Sequence, residues 1–167
     1  MARQLWLLRH AEAEPHGTRA DHERRLTERG EQQARAAGLA LRRLGLRFEE
    51  ILYSPKERAR RTAELAAESF TPAQGKRVRE HELLASGFEA AQALELLAGT
   101  RSDGRILLVG HEPDLSRVVS EITGARIDLK KGGLAAVRLE RGAGGELILV
   151  MRPRELGAIA GVPAGGE

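Results

Sequence analysis

Short apolar runs of strand length alternate with longer amphipathic segments along this chain. The apolar runs, predicted to be β-strands, lie at 4–9, 48–53, 77–80, 105–110, 134–139 and 146–151. This alternation indicates an α/β protein in which helices cover a sheet. The run at 105–110 reads Arg-Ile-Leu-Leu-Val-Gly, and such an apolar run is typical of a central strand that is buried on both faces.

Four amphipathic segments carry signals for the start of a helix. Thr27 is predicted to cap a helix with one apolar face. The stretches 54–57 and 86–89 each read Ser-x-x-Glu, which is the pattern of a capping box. Pro113 is predicted to open a fourth helix, whose apolar residues recur at helical spacing until Gly124 ends it.

The end of the chain differs in character from the rest. The glycine-rich loop 140–145 joins the last two predicted strands, which indicates an antiparallel hairpin at one edge of an otherwise mostly parallel sheet. Residues 1–156 are predicted to form a single domain. Residues 157–167 have low complexity and are predicted to be a flexible tail.

Composition narrows the class of protein. The 167 residues include no cysteine, so disulfides, thiolate ligands and a cysteine nucleophile are excluded. The net charge is only +3 and five residues are aromatic, which argues against a nucleic-acid-binding protein. No apolar run approaches the ~20 residues of a membrane span. We expect a cytoplasmic, monomeric protein that does not bind membranes.

Three predicted strand-to-helix junctions carry side chains that could bind a ligand or take part in a reaction. Arg9 and His10 end the first strand, Arg58 lies one turn into the helix after the second, and His111 follows the strand 105–110. If these strands are parallel, all three junctions lie at one edge of the sheet, where α/β proteins bind ligands. Guanidinium groups and helix N-termini at that edge favour a phosphate.

Each of these features has a structural explanation when taken alone. A single histidine after a strand is more often a capping or packing residue, and a single arginine is usually a solvated charge. The Ser-x-x-Glu pattern is by default a helix cap. The joint occurrence at three equivalent junctions favours a functional site.

These junctions resemble the motifs of the histidine phosphatase superfamily, which has the phosphoglycerate-mutase-like fold. Segment 8–11, Leu-Arg-His-Ala, resembles its Arg-His-Gly signature, with alanine in place of glycine. Further motifs of the family are matched by segments 21–30, 54–64 and 108–113. Segment 129–135 resembles the small phosphohistidine phosphatases of the SixA type. The resemblance implies a three-layer α/β/α fold with a mostly parallel central sheet and an antiparallel edge strand.

The resemblance also implies a role for five residues. His10 would attack phosphorus and form a transient phosphohistidine, which water would then hydrolyse. Arg9, Arg24 and Arg58 would bind the phosphoryl oxygens, and His111 would bind one of them and add charge as an imidazolium. The arginines disfavour protonation of His10, so a neutral nucleophile is expected. The scheme needs no metal or cofactor.

The proton donor is the least defined part of the resemblance. Larger relatives carry an acid on an insertion, and only Glu82 lies at a comparable place in this short chain. Glu112 occupies the place of the donor in the acid-phosphatase branch, but it is equally well read as a cap for the next helix. A phosphoramidate loses imidazole, which is a better leaving group than an alkoxide, so the absence of a clear acid favours phosphohistidine as the substrate.

Other polar residues have more than one interpretation. Lys130 and Lys131 either attract an acidic partner or phosphate or mark a solvated turn. His16 and His22 lie six residues apart in a charged loop, without a carboxylate at helical spacing, which argues against a metal site.

The leading hypothesis is a phosphatase that acts on a phosphohistidine-bearing protein. One alternative is a phosphatase of the same superfamily for a small phosphorylated substrate, namely a phosphoester or a polyphosphate. Another is a non-catalytic module that binds phosphohistidine. The retained residues His10, Arg58 and His111 argue against the binding module, because a degenerate site usually loses its nucleophile.

Overall fold

The computed structural model describes residues 2–74, 77–142 and 144–162. The strands are β1 (Arg3–Arg9), β2 (Glu50–Tyr53), β3 (Val78–Glu80), β4 (Arg105–Gly110), β5 (Leu134–Leu139) and β6 (Gly145–Met151). The helices are α1 (Glu28–Arg43), α2 (Glu57–Ala67), α3 (Ala90–Ala98), α4 (Asp114–Thr123) and α5 (Pro153–Ala160). No helix among the described residues combines the length and apolarity needed to cross a membrane.

The six strands form one sheet in the order β3-β2-β4-β1-β5-β6. Strands β3, β2, β4 and β1 are parallel, whereas β5 is antiparallel to β1 and to β6. The predictions of a mostly parallel sheet, of a hairpin at one edge and of a central strand at 105–110 are confirmed.

The sheet is covered by helices on both faces. Alternate residues of β1 show this arrangement, because Leu5 and Leu7 belong to the core beneath α3 and α4. Trp6 and Leu8 belong to the opposite core, beneath α1, α2 and α5. The molecule is therefore a three-layer α/β/α structure, as the resemblance implied.

The start of α1 is set by close contact with the loop after β1. Thr27 caps the helix as predicted, since its Oγ1 accepts a hydrogen bond from the Gly30 N–H at 3.0 Å. A Cβ atom at Gly30 would lie 1.9 Å from the carbonyl oxygen of Glu12. Only glycine at this position lets the helix approach the loop that follows the nucleophile candidate.

The two predicted capping boxes are not formed as expected. Helix α2 begins at Glu57, and the Ser54 hydroxyl accepts the Lys56 N–H instead of serving as its N-cap. The box before α3 lies three residues later than predicted, because Glu89 is the N-cap and pairs with Gln92. Ser54 cannot serve as the cap of α2 because it lies at the end of β2, where its hydroxyl contacts His111.

The prediction of a flexible tail from residue 157 is wrong for its first four residues. These residues continue α5, in which Leu156 and Ala160 are buried against α1. The sequence of this segment is typical of a tail because its residues are small and of low complexity. These small residues form a narrow apolar face that packs closely on another helix. Residues 163–167 of the predicted tail lie outside the described residues.

Candidate active site

The candidate site lies at the carboxyl ends of three neighbouring parallel strands. Arg9 is paired with Gly110 in the sheet, and the His10 N–H donates to the Gly110 carbonyl at 3.0 Å. On the other side of β4, the Ser54 N–H donates to the Val109 carbonyl at 3.0 Å. The ends of β1, β4 and β2 therefore lie side by side, which brings the three predicted junctions together.

His10 is held in one orientation and one tautomer. Its Nδ1 lies 2.8 Å from the carbonyl oxygen of Ala11, and a carbonyl can only accept, so Nδ1 carries the proton. The Ala11 peptide is itself fixed by a 3.1 Å hydrogen bond from its N–H to the Thr62 hydroxyl. In the neutral ring, Nε2 keeps its lone pair, which a nucleophile requires.

His10 is also held in the neutral state. Burial is the main cause that lowers its pKa well below the usual value, and the charges of Arg58 and Arg9 lower it further. Only 5% of the residue is exposed. The expectation of a neutral nucleophile is thus met by burial first and by the arginines second.

His111 lies beside His10, with 5.2 Å between the ring centroids. Its Nε2 lies 2.7 Å from Ser54 Oγ, which already accepts the Lys56 N–H. The Ser54 hydroxyl proton has no other acceptor among the described residues, so it donates to Nε2. The ring proton of His111 is then on Nδ1, a buried nitrogen without a described partner.

His111 is neutral in the free site. Burial lowers its pKa to about 3, and the charges of Arg58 and Lys56 contribute to this shift. The prediction that His111 brings imidazolium charge concerns the site with a bound phosphoryl group and stays a prediction. In the unbound site, cations on neighbouring elements oppose protonation. His111 instead offers a neutral N–H donor next to the nucleophile.

Two of the predicted arginines are buried and bound to one carboxylate. Arg24 and Arg58 are only 6% and 5% exposed. The Asp21 carboxylate accepts from Arg24 Nε at 3.1 Å, from Arg24 Nη2 at 3.0 Å and from Arg58 Nη2 at 3.3 Å. The Asp21 carbonyl also accepts from Arg58 Nη1 at 2.8 Å. The two guanidinium groups are therefore held side by side despite their like charges.

Asp21 is a residue of the site that the sequence interpretation missed. Burial opposes its ionisation, but the Arg24 hydrogen bond and the charges of Arg58 and Lys56 hold the pKa of Asp21 well below its usual range. Lys56 Nζ lies 3.3 Å from the carboxylate. The available signal was the position of Asp21 three residues before Arg24, a spacing at which side chains meet on a helical turn.

Arg9 completes the ring of cations around His10. Its Nη1 donates to the Leu129 carbonyl at 3.0 Å, and burial lowers the pKa of the guanidinium. Its Nε is buried without a described partner, as are Arg58 Nε and His111 Nδ1. Buried donors normally have partners, so three unpaired ones around a histidine indicate a place for an anionic ligand.

The two candidate acids have different surroundings. Glu112 accepts from the Ser116 N–H at 2.9 Å and contacts the Ser116 hydroxyl, so its carboxylate caps the first turn of α4. Glu82 starts a single 3₁₀ turn, Glu82–Leu84, and is exposed. Leu84 packs beside Gly110, which places this turn near the end of β4. Glu82 makes no side-chain hydrogen bond or ion pair with the described residues.

A metal site is not evident in the described part of the chain. No group of three or more His, Cys, Asp or Glu side chains there is arranged to bind an ion. Among the loop histidines, His16 lies 3.8 Å from Asp21 and His22 lies 3.7 Å from Glu23. Both histidines are mostly exposed and lie outside the ring of buried groups.

Comparison with known proteins agrees with this geometry. The model of the histidine phosphatase superfamily (branch 1) matches residues 5–86. An uncharacterised protein of a Picosynechococcus strain is 33% identical over 170 residues, which cover 92% of this chain and 98% of the relative.

Solved structures with this fold extend over nearly the whole chain. The protein histidine phosphatase SixA in complex with tungstate is 21% identical, with a TM-score of 0.79 over 92% of this chain and 99% of SixA. A protein of Nakamurella multipartitia assigned as a phosphohistidine phosphatase SixA is 27% identical, with a TM-score of 0.74 over 92% of this chain and 97% of that one. The chain belongs to the histidine phosphatase superfamily and is of the SixA type.

Proposed function

We propose that this protein is a phosphatase that removes the phosphoryl group from phosphohistidine on a protein, through a covalent intermediate at His10. The observation that carries the proposal is the hydrogen bond from His10 Nδ1 to the Ala11 carbonyl. It leaves the Nε2 lone pair available in a pocket whose other buried groups are cations and N–H donors. The likeness to SixA structures supports the same conclusion.

The first chemical step transfers the phosphoryl group to the enzyme. The lone pair of His10 Nε2 forms a bond to phosphorus and the phosphorus–nitrogen bond of the substrate breaks. Its electron pair leaves with the substrate ring, which departs as neutral imidazole because its other nitrogen already carries a proton. Negative charge is spread over the phosphoryl oxygens in such a transition state. Arg9 Nε, Arg58 Nε and His111 Nδ1 are buried donors of this site with no described partner, and they are suited to bind these oxygens.

The second step restores the enzyme. Water attacks the phosphoryl group on Nε2, inorganic phosphate is released, and the electron pair returns to the His10 ring. Arg24 and Arg58 remain fixed through both steps, because Asp21 binds them independently of the substrate. No metal or cofactor takes part in this scheme.

The surroundings of the acids favour a phosphoramidate over a phosphoester. Glu112 is engaged in capping α4, and Glu82 is exposed on a short turn. Neither carboxylate is buried beside His10. Imidazole is the better leaving group, so a site without a dedicated acid is better matched to phosphohistidine.

The decisive experiment is inorganic phosphate release from a phosphohistidine-bearing protein in the presence of EDTA. We expect the wild type to be active and His10→Ala to lose activity by about a thousandfold or more. His22→Ala, which removes an exposed histidine of the neighbouring loop, is the matched control and retains activity.

The remaining outcomes separate the alternatives. Acid-labile radioactive phosphate on the wild type, but not on His10→Ala, after rapid quenching identifies the covalent intermediate. Activity that disappears with EDTA overturns the metal-independent scheme. Tight phosphate binding without any release by the wild type indicates a phosphohistidine-binding module instead of an enzyme.

A second candidate function is hydrolysis of a small phosphoester with Glu82 as the proton donor. The observation in its favour is that the Glu82 carboxylate is uncommitted and lies on a turn next to the end of β4. Glu82→Gln distinguishes the two functions, because it abolishes ester hydrolysis that needs this acid and spares phosphoramidate hydrolysis.

A further inference from the structure

A groove with an excess of basic side chains leads away from the candidate active site at Arg9. Its cavity measures about 370 Å³. It is lined by Arg9, Glu12, Arg29, Gln33, Lys130 and Lys131, and we call it the basic groove. Four of these residues are cationic and one is anionic. Because Arg9 belongs to both features, the basic groove is continuous with the site.

The position of Lys131 is fixed by the backbone of the nucleophile segment. The N–H of the next residue, Gly132, lies 3.1 Å from the Arg9 carbonyl and 2.9 Å from the His10 carbonyl, and donates to both. Gly132 has a φ of +75°, and a Cβ there would lie 3.2 Å from Gln33 Oε1. The turn therefore requires glycine at this point, and it holds Lys131 close to the catalytic centre.

The carboxylates near the basic groove are already paired with cations. Arg29 Nη1 lies 3.3 Å from the Glu12 carboxylate, and Lys130 Nζ lies 2.9 Å from that of Asp128. Lys131 is exposed and forms no ion pair with the described residues. Its ammonium group therefore remains available at the rim of the groove.

The groove on the other side of the site has a different charge balance. It measures about 520 Å³ and is bordered by the loop that carries Arg24 and by the start of α2. Its two arginines, Arg19 and Arg25, are matched by Glu23 and Glu57. A negatively charged group near the site is consequently attracted towards the basic groove and not towards this one.

We propose that the basic groove binds an acidic side chain of the polypeptide substrate that lies next to its phosphohistidine. This inference rests on the proposed function and adds the substrate's local sequence to it. The phosphoryl group is bound at Arg9 and the neighbouring carboxylate pairs with Lys131. Charges at the rim of an interface act mainly on the rate of association and on the choice of partner, so the effect falls on kcat/KM.

The test compares two synthetic phosphohistidine peptides, one with glutamate and one with glutamine on both sides of the phosphohistidine. We expect wild type to prefer the acidic peptide by up to about fivefold in kcat/KM, which is the upper end of the effect of an exposed ion pair. Lys131→Glu reduces this ratio to one or below. Arg141→Glu makes the same charge change in the distant β5–β6 loop and keeps the wild-type ratio.

The outcomes distinguish failure of this inference from failure of the proposed function. Equal hydrolysis of both peptides by the wild type overturns the inference and leaves the phosphatase intact. Absence of hydrolysis of both peptides, and of free phosphoramidate, overturns the proposed function. If Lys131→Gln, a milder change, lowers the ratio in the same direction and high salt removes the preference, the charge of Lys131 is the cause.

Discussion

Arginine side chains are at least partly buried at both ends of the sheet, but the two ends use them differently. At the amino ends of the strands, Arg3 donates to the carbonyls of residues 100 and 101, both at 3.0 Å. Arg105 donates to the Gln4 side chain at 2.7 Å and to the Arg47 carbonyl at 3.1 Å. These arginines tie loops to strands, and their donors are used by the protein itself.

The carboxyl ends of the strands also carry arginines, but some of the donor nitrogens of these arginines are not used by the protein itself. Burial lowers the pKa of Arg105 just as it lowers that of Arg9 and Arg58. A lowered arginine pKa therefore does not mark a functional site in this molecule. The distinguishing features are two buried histidines, His10 and His111, and several buried nitrogens without a described partner around them. At the amino end, where Arg138 pairs with Gln4 in the sheet, Arg138 Nε also lacks a described partner, but no buried histidine lies there. Unused donors around a nucleophile are what make one end chemically competent.

Removal of one arginine from each end tests this comparison with the largest effect. We expect Arg58→Ala to lower kcat/KM by about 10²–10³, the usual loss when one donor to the transition state is removed. Arg105→Ala loses hydrogen bonds of a charged group, and its Tm falls by about 2–4 °C for each kcal/mol lost from the free energy of unfolding. At temperatures below the unfolding transition it keeps the wild-type kcat/KM. Phosphate release and thermal unfolding measure the two effects. Comparable losses of kcat/KM in both variants would break the comparison.

Asp21→Asn tests whether the carboxylate orients the arginines or merely neutralises them. The variant keeps the backbone carbonyl that accepts from Arg58 but loses the charged contacts with Arg24, Arg58 and Lys56. We expect kcat to fall about tenfold, because the guanidinium groups lose their fixed geometry. Inorganic phosphate should inhibit more strongly, because the pocket gains one net positive charge.

The Asp21→Asn variant is diagnostic because its two expected effects have opposite signs: kcat falls, whereas the affinity for inorganic phosphate rises. Steady-state kinetics give kcat, and product inhibition gives the phosphate affinity. A variant that is merely unfolded loses both activity and phosphate binding. If kcat stays at the wild-type value while phosphate binds more tightly, Asp21 contributes charge but not orientation.

The buried histidines predict a pH dependence of stability that the amino end does not share. Burial lowers the pKa of His10 well below its usual value and that of His111 to about 3, whereas the unfolded chain binds these protons near pH 6.5. Their contribution to stability is therefore complete above about pH 6.5 and is lost as the pH falls towards 3. Each histidine contributes a slope of up to about 1.4 kcal/mol per pH unit in this range.

Urea unfolding at several pH values measures this slope. His111→Asn should be less sensitive to acid than the wild type, because one of the two titrating groups is removed. His22→Asn, which changes an exposed histidine, keeps the wild-type slope. An unchanged slope in His111→Asn would show that this ring takes up its proton at about the same pH in the folded protein as in the unfolded chain.

Much of the fold follows from local patterns because the patterns coincide with the physical constraints. The apolar run at 105–110 is a central strand, since only such a strand is buried on both faces. Thr27 and Gly124 cap their helices, since a side-chain acceptor and a left-handed residue satisfy the helix ends directly. Helix α5 was missed because its alanines and glycines acquire an apolar face only when α1 covers it.

The sequence allowed the residues of the site to be predicted, but not their protonation states or their hydrogen-bond partners. Order along the chain and the parallel sheet place His10, Arg58 and His111 at one edge, so their convergence could be expected. The neutral state of His111 depends on burial and on cations from other strands, which a sequence does not show. The role of Ser54 as a partner of His111 was hidden for the same reason, because its local pattern is that of a helix cap.

The smallest expected effects concern the two acids, and they define which groups at the carboxyl end take part in the chemistry. For phosphohistidine, Glu82→Gln should change kcat/KM by less than about threefold, because imidazole leaves without a strong acid. Glu112→Gln keeps a hydrogen-bond acceptor for the Ser116 N–H, so it should cost only part of a helix cap, about 0.5–1 kcal/mol of stability. Phosphate release and urea unfolding measure these changes. If Glu82→Gln lowered kcat/KM for phosphohistidine by a hundredfold or more, this exposed carboxylate would be a catalytic residue. The active site would then include an exposed side chain in addition to the buried ones around His10.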